Sequence, residues 1–333
     1  IAVAALPLAG PEGLAAIAAW SLCALGAWRG AARWKPHPIL SRVVPAALLV
    51  AALLGWQTRD SLRDITMNRL VAVFPGGRML LWKEARGQTL AVYQFQSGVK
   101  IALRDGLAVQ HSGNVSRLIA HLSLLAHPSR TALFVNVLHP AVFFSAALHN
   151  ANATLYDPHP SCREALAALS AGANPAALGP IFCGSRRPPE GPFDAVVVDI
   201  PAPPTAPQSA LLTTRDSARF WRTRLSTGGL LAWGLTTAPN APASRRAAAA
   251  LQAEFSDVAV ALLGRGTLLL AADKINDDCS AALLRLRPLL FNDSIQLLAA
   301  LAGPACPWQR LPKSPVPPES AWRPLGALPV RPF

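Results

Sequence analysis

Residues 14–28 and 43–56 form two apolar runs without a charged side chain, and the second extends back to Ile39 when Arg42 snorkels toward an interface. Each is somewhat shorter than the roughly 20 residues of a spanning helix, but Trp28 and Trp56 close them as interfacial anchors do. The pattern predicts transmembrane helices at about 14–28 and 39–56 within a membrane segment 1–57, with buried core helices as the alternative. Ile1–Gly10 reads as the tail of an earlier span. With no basic n-region it does not read as a signal peptide, and whether residues precede Ile1 stays open.

Beyond Leu70 the period shortens. Met79–Trp82, Thr89–Phe95 and Lys100–Leu103 alternate between turn signals at Gly87, Ser97-Gly98 and Asp105-Gly106, which predicts a small antiparallel β unit over 58–112. A helix is predicted at Val115–Ala126. Apolar strands then alternate with helical stretches. The strands are Ala132–Leu138, Ala153–Tyr156, Ala195–Asp199 and Leu230–Gly234, and the helices lie near Phe143–His149, Ser161–Ser170, Arg215–Leu225 and Ala243–Phe255. This order predicts an α/β domain over 113–275 with a doubly wound, mainly parallel sheet covered on both faces. Val258–Leu263 and Thr267–Ala272 read as a closing hairpin through Gly264-Arg265-Gly266, and helices follow over 276–302.

The tail over 303–333 carries Pro304, Pro307, Pro312, Pro315, Pro317, Pro318, Pro324, Pro329 and Pro332, so it is excluded from helices and central strands and should be extended. Trp308, Trp322 and Phe333 make it a candidate strap along the protein's own surface or a partner's. The alternative is a solvated end with incidental aromatics.

Composition adds a membrane and an anionic surface to this picture. The chain of 333 residues is 52% hydrophobic and 15% charged, too apolar for an ordinary soluble protein, and 31 basic against 18 acidic residues leave a net charge of +13. The basic residues are scattered, without a run interleaved with aromatics, so nucleic acid is not the expected partner. Arg29, Arg33, Lys35 and Arg42 in the connector face no acid, whereas Gly10-Pro11-Glu12-Gly13 carries no base. The connector is therefore expected on the cytoplasmic side and everything after Trp56 on the outer side, with Arg59, Arg63 and Arg69 opposing that bias.

Apart from Cys23 in the first apolar run, the cysteines form an even set. Cys162 follows the second strand and Cys183 the third, and these strands are neighbours in a doubly wound sheet, so a bridge between them is geometrically open. Cys279 and Cys306 bracket the later helices and provide a second possible bridge. Free buried thiols are the alternative for all four. His139, His149 and His159 stand ten apart, a spacing that matches no metal motif, and neither Cys-x-x-Cys nor Gly-x-Ser-x-Gly is present. No metal is expected.

The stretch Trp82-Lys83-Glu84-Ala85-Arg86-Gly87-Gln88-Thr89-Leu90-Ala91-Val92, then Leu103-Arg104-Asp105-Gly106 and His121-Leu122-Ser123-Leu124-Leu125-Ala126-His127-Pro128, resembles the spermidine synthase-like proteins, especially bacterial members fused to membrane spans. Phe193-Asp194-Ala195-Val196-Val197-Val198-Asp199 and Leu225-Ser226-Thr227-Gly228-Gly229-Leu230-Leu231 are similar to that family's later strands. The resemblance covers residues 78–272. It implies a Rossmann-like methyltransferase sheet, and aminopropyl transfer from decarboxylated S-adenosylmethionine to a diamine, or methyl transfer from S-adenosylmethionine.

That chemistry needs a glycine-rich first turn, a ribose-binding acid after the second strand, and carboxylates after the fourth. On the resemblance, the three glycines fall on Val137, His139 and Ala141, whose side chains would occupy cofactor space. The ribose acid falls on Leu155, with Asp157 two residues on as a possible replacement. The acidic loop beside the adenine becomes Cys183-Gly184-Ser185-Arg186-Arg187. Asp199 matches the first acid of the catalytic strand end and the second falls on Ala202. Asp199 reads either as a general base or as a strand terminus accepting backbone N–H groups, and Asp105 either as the family acid or as a turn residue.

The expectation is therefore a membrane-anchored, catalytically inactive spermidine synthase-like domain, without a bound cofactor, acting as a structural or interaction subunit beside other membrane proteins. The alternative is an active aminopropyl- or methyltransferase on a polyamine or small amine, with Asp199 as base and Asp157 holding an S-adenosyl cofactor.

Overall fold

The computed structural model describes residues 76–85, 88–104, 107–108, 113–170, 179–185, 187–200, 211–263, 266–276, 278, 281, 284–285, 287–288 and 307–313. The apolar runs 14–28 and 39–56, Asp105-Gly106, Ala202, Cys279, Cys306 and the tail beyond residue 313 lie outside the described residues. Among the described residues, no helix is long and apolar enough to cross a membrane. The chain divides into two compact units, residues 1–106 and 107–333.

In the first unit, β1 (Arg78–Ala85), β2 (Gln88–Gln94) and β3 (Lys100–Arg104) form an antiparallel sheet with β2 in the centre. Ala91, Tyr93 and Leu103 are its core, with Met79, Trp82, Phe95 and Ile101 packed against them. Tyr93 and Phe95 meet edge to face with centroids 5.4 Å apart. The turn between β2 and β3 closes where Phe95 N–H donates to the Val99 carbonyl at 2.8 Å and Gly98 N–H to that of Phe95 at 3.0 Å. β1 runs beyond the expected Met79–Trp82 because Lys83 and Glu84 continue the pairing with exposed side chains, which a search for apolar alternation passes over.

The second unit opens with the two-residue β4 (Leu107–Ala108) and α1 (Gly113–Ala126). Then follow β5 (Thr131–Val135), α2 (Ala141–Leu148), β6 (Asn152–Asp157), α3 (Cys162–Leu169), β7 (Ile181–Cys183) and β8 (Phe193–Ile200). The unit ends with α4 (Arg215–Arg222), β9 (Leu225–Leu235), α5 (Pro242–Gln252), β10 (Asp257–Leu263), β11 (Gly266–Ala272) and β12 (Trp308–Arg310). They build an eight-stranded sheet in the order β12-β10-β11-β9-β8-β5-β6-β7. β9, β8, β5, β6 and β7 pair in parallel, while β11 runs antiparallel to both β9 and β10. This is a doubly wound, Rossmann-like sheet.

The central strands β5 and β8 carry near-continuous apolar runs, 132–135 and 195–198, because both their faces are covered. On one face, Leu133, Val135, Val196, Val198, Ile200, Leu231, Trp233 and Leu235 form a core with Trp221 of α4 and Ala247 and Leu251 of α5. On the other, α1 packs against β8, β9, β10 and β11, and α2 packs against α1 and β6.

Two differences from the sequence reading have physical causes. The strand expected over Ala132–Leu138 stops at Val135, because Asn136 turns into the left-handed region at φ 60° and the apolar residues after it fill the loop instead. The chain at 308–310 leaves the proline-rich surroundings to add an antiparallel edge strand to β10, and Trp308 is 4% exposed. Flanking Pro307 and Pro312 keep that strand short and at the edge. The contact is fixed by Leu311 N–H to the Val258 carbonyl at 2.8 Å and by Arg310 to Asp257 at 2.9 Å.

Candidate functional site

The strand order reverses between β5 and β8, and the carboxyl ends of those strands are where a sheet of this kind offers a crevice. The residues that follow β5 there are buried. Asn136, the first residue after β5, is 5% exposed; its N–H donates to the Tyr156 carbonyl at 3.0 Å and its Nδ2 to the Asp199 carbonyl at 3.3 Å. Its Oδ1 is buried without a partner among the described residues. Val137 and Leu138 follow at 0% and 3% exposure, and Ala141 and Val142 at 2% and 0%. Two of the three positions where the resemblance expects glycine, Val137 and Ala141, are therefore core.

The third such position, His139, closes the amino terminus of α2. Its Nδ1 accepts the Ala141 N–H at 3.1 Å. The Val142 N–H donates to the His139 carbonyl at 3.4 Å and the Phe143 N–H to that of Pro140 at 3.1 Å. Those donors would otherwise face an anionic or polar ligand. An acceptor at Nδ1 puts the proton of the neutral ring on Nε2. Burial, and then the nearby Arg117 guanidinium, hold the imidazole down at about 4 from its ordinary 6.5, so it stays neutral at physiological pH.

Asp157 ends β6 and is fully buried, and its Oδ1 accepts the His159 N–H at 2.8 Å in a local turn. His159 Nδ1 in turn accepts the Ser161 N–H at 3.2 Å. A disulfide joins Cys162, at the start of α3, to Cys183, at the end of β7, with Cα atoms 5.6 Å apart. Gly184 packs so tightly under this loop that a Cβ there would lie 2.8 Å from Pro160 Cα. Leu155, the position the resemblance gives to the ribose acid, is a fully buried residue two places inside β6.

Asp199 is the next-to-last residue of β8, fully buried, and paired in register with Gly234. A Cβ at Gly234 would lie 3.6 Å from Asp199 Oδ1 and 3.3 Å from the Ile119 methyl, so the carboxylate sits beneath α1. Asp157 and Asp199 stand on strands two places apart, about 10 Å by strand spacing, too far to share a proton. The structure thus brings Asn136 to Asp199, and keeps Asp157 in a separate, stapled loop. Among the described residues, no group of three His, Cys, Asp or Glu side chains converges as a metal site would.

Sequence reasoning passed over two features. Asn136 was legible in principle, because Asn is the side chain that most often stands in for glycine in the left-handed region. The contact of His121 Nδ1 with His149 Nε2 at 2.9 Å was not, since it joins α1 to the end of α2 across 28 residues with no motif. His149 is also held down at about 4, by burial and then by His121.

No protein-family model matches the chain, and no curated protein matches it. Among solved structures, it is similar to a spermidine synthase in complex with the transition-state analogue AdoDATO, at 16% identity over 60% of this chain and 75% of that one, with a TM-score of 0.49. It is similar to the spermidine synthase of Thermotoga maritima at 15% identity over 60% of this chain and 74% of that one, with a TM-score of 0.48. A probable spermidine synthase from Corynebacterium glutamicum matches at 14% identity over 70% of this chain and 91% of that one, with a TM-score of 0.48.

Proposed function

We propose that this chain is a spermidine synthase-like domain without transferase activity, which serves as a structural or interaction subunit of a membrane-protein assembly. In this reading the apolar runs 14–28 and 39–56 anchor it in a bacterial inner membrane and the sheet domain lies on the periplasmic side. The observation that carries the loss of activity is the self-capped start of α2. His139 Nδ1, the His139 carbonyl and the Pro140 carbonyl take the first three N–H groups of the helix, and Val137 is fully buried. The residues present do not fit an S-adenosyl cofactor, because backbone approach at the first turn is what binds the nucleoside in such a sheet.

Purification of the full chain in mild detergent tests the subunit role: a stoichiometric membrane-protein partner is expected, and a chain recovered alone would reject it. An assay of aminopropyl and methyl transfer to diamines tests the chemistry, with no product above background expected.

A second reading keeps the chain active, with Asp199 as base and Asp157 turned toward a cofactor ribose. It is favoured by the position of Asp157 and Asp199 at strand ends and by the unpartnered Oδ1 of Asn136. Product formation abolished by Asp199→Asn would establish it.

A further inference from the structure

We propose that the cleft at the amino-terminal edge of the parallel strands binds a single-chain aliphatic carboxylate, with its head held by Arg130 and Arg285 and its chain laid along Leu124, Leu148 and Leu284. The proposal is independent of the reading of the carboxyl end. The cleft lies between the end of α1, the loop leading into β5, the end of α2 and the helical residues near 285, and is an open groove of about 760 Å3. That is within the roughly 300–1,000 Å3 of small-molecule sites.

Two of its leucines, Leu148 and Leu284, are 37% and 69% exposed, so they present apolar surface that the described protein leaves uncovered. Saturated side chains offer an alkyl chain dispersion contact along its length.

The charge at the rim selects an anion. Neither guanidinium meets a carboxylate among the described residues; Arg285 Nε donates only to the Ala281 carbonyl, at 3.2 Å. The acid that reaches this edge, Asp194, is already used. Burial pushes its carboxyl up, but the Arg130 N–H, the Ser226 hydroxyl and the N–H and hydroxyl of Thr131 outweigh that and hold it below the ordinary carboxylate range. His149 lines the cleft as a neutral ring, held by His121 through Nε2, and its Nδ1 has no partner among the described residues. An aliphatic ammonium would meet two uncompensated cations here, and a carboxylate would meet the same two as partners.

The test is photolabelling of the full chain in its membrane with a diazirine-bearing decanoate, followed by peptide mapping. Label is expected on the peptides containing Leu124, Leu148 and Leu284, competed away by unlabelled decanoate. Arg130→Ala should cut the yield about tenfold, the size of one charge-assisted contact. Both arginines are exposed, so the variants should keep the wild-type melting temperature; Leu148→Asp provides a second route to the same loss. Equal labelling by the matched decylammonium probe, or unchanged labelling in both Arg130→Ala and Arg285→Ala, would overturn the proposal. A photoreactive anionic phospholipid that marks these peptides while the free carboxylate does not would overturn the single-chain ligand and point to a lipid headgroup.

Discussion

At the carboxyl end of the parallel strands, the donors of the first turn of α2 are met by the chain itself, and Val137 and Leu138 are buried. At the amino end, a cleft of about 760 Å3 opens beside Arg130 and Arg285, and the acid at hand is consumed by backbone N–H groups. A doubly wound sheet ordinarily binds ligands at the first of these ends. The difference teaches that strand order locates where a site can be built, while the side chains in the loops decide whether it is; fold and function separate at this step.

Acid exposes the comparison most strongly, because each end holds a half-buried histidine kept neutral. His139 at the carboxyl end and His149 at the amino end are both lowered to about 4 from an ordinary 6.5. Between those values the unfolded chain binds protons that the folded protein refuses. Stability is therefore full above about pH 6.5 and falls as pH drops toward 4, by up to about 3 kcal/mol for each group. Denaturant melts of wild type, His139→Gln and His149→Gln at about pH 7.5 and about pH 4.5 should show each variant losing part of the acid sensitivity. An unchanged slope in one variant would remove that end from the account.

The Cys162 to Cys183 bridge belongs only to the carboxyl end. It closes a sequence separation of 21 residues, for which chain-entropy reasoning gives about 3 kcal/mol. Cys162→Ser combined with Cys183→Ser should lower the unfolding free energy by about that amount, and reductant should have the same effect on the wild type alone. If alkylation of the unreduced protein captures both thiols, the bridge and the periplasmic placement lose support together.

A smaller effect is expected at Asn136, where a side chain holds a left-handed conformation at φ 60°. Asn136→Ala loses the bond to the Asp199 carbonyl and adds backbone strain, whereas Asn136→Gly loses the bond and relieves the strain. Chemical denaturation should rank the alanine variant about 1 kcal/mol below the glycine variant. Equal stabilities would mean that the turn is held by Val137 and Leu138 alone.

The sheet was legible because Ala195–Asp199 and Leu230–Gly234 are unbroken apolar runs, the mark of strands covered on both faces. Their true ends were not. β9 starts at Leu225 through polar Ser226 and Thr227, and its register against β8 shifts between Phe193 and Ala195, so the pattern there is not periodic. β5 was drawn too long because Val137 and Leu138 look like strand and serve as loop filling. The strand-end carboxylates Asp157 and Asp199 were identified as candidates, but that Asp157 caps its own turn and Asp199 lies under α1 depends on burial and register. The cleft at the amino end was invisible in the sequence, since its residues come from segments more than 100 positions apart and share no motif.

The self-capped carboxyl end is the central claim, and isothermal titration of the purified full chain with S-adenosylmethionine and its decarboxylated form tests it most directly. With Val137, His139 and Ala141 at the positions where the resemblance expects glycine, and Leu155 in the core at the position it gives to the ribose acid, no saturable heat is expected for either compound at micromolar concentrations. A micromolar Kd for either one, lost on Asp157→Ala, would contradict the claim and establish the active reading in its place.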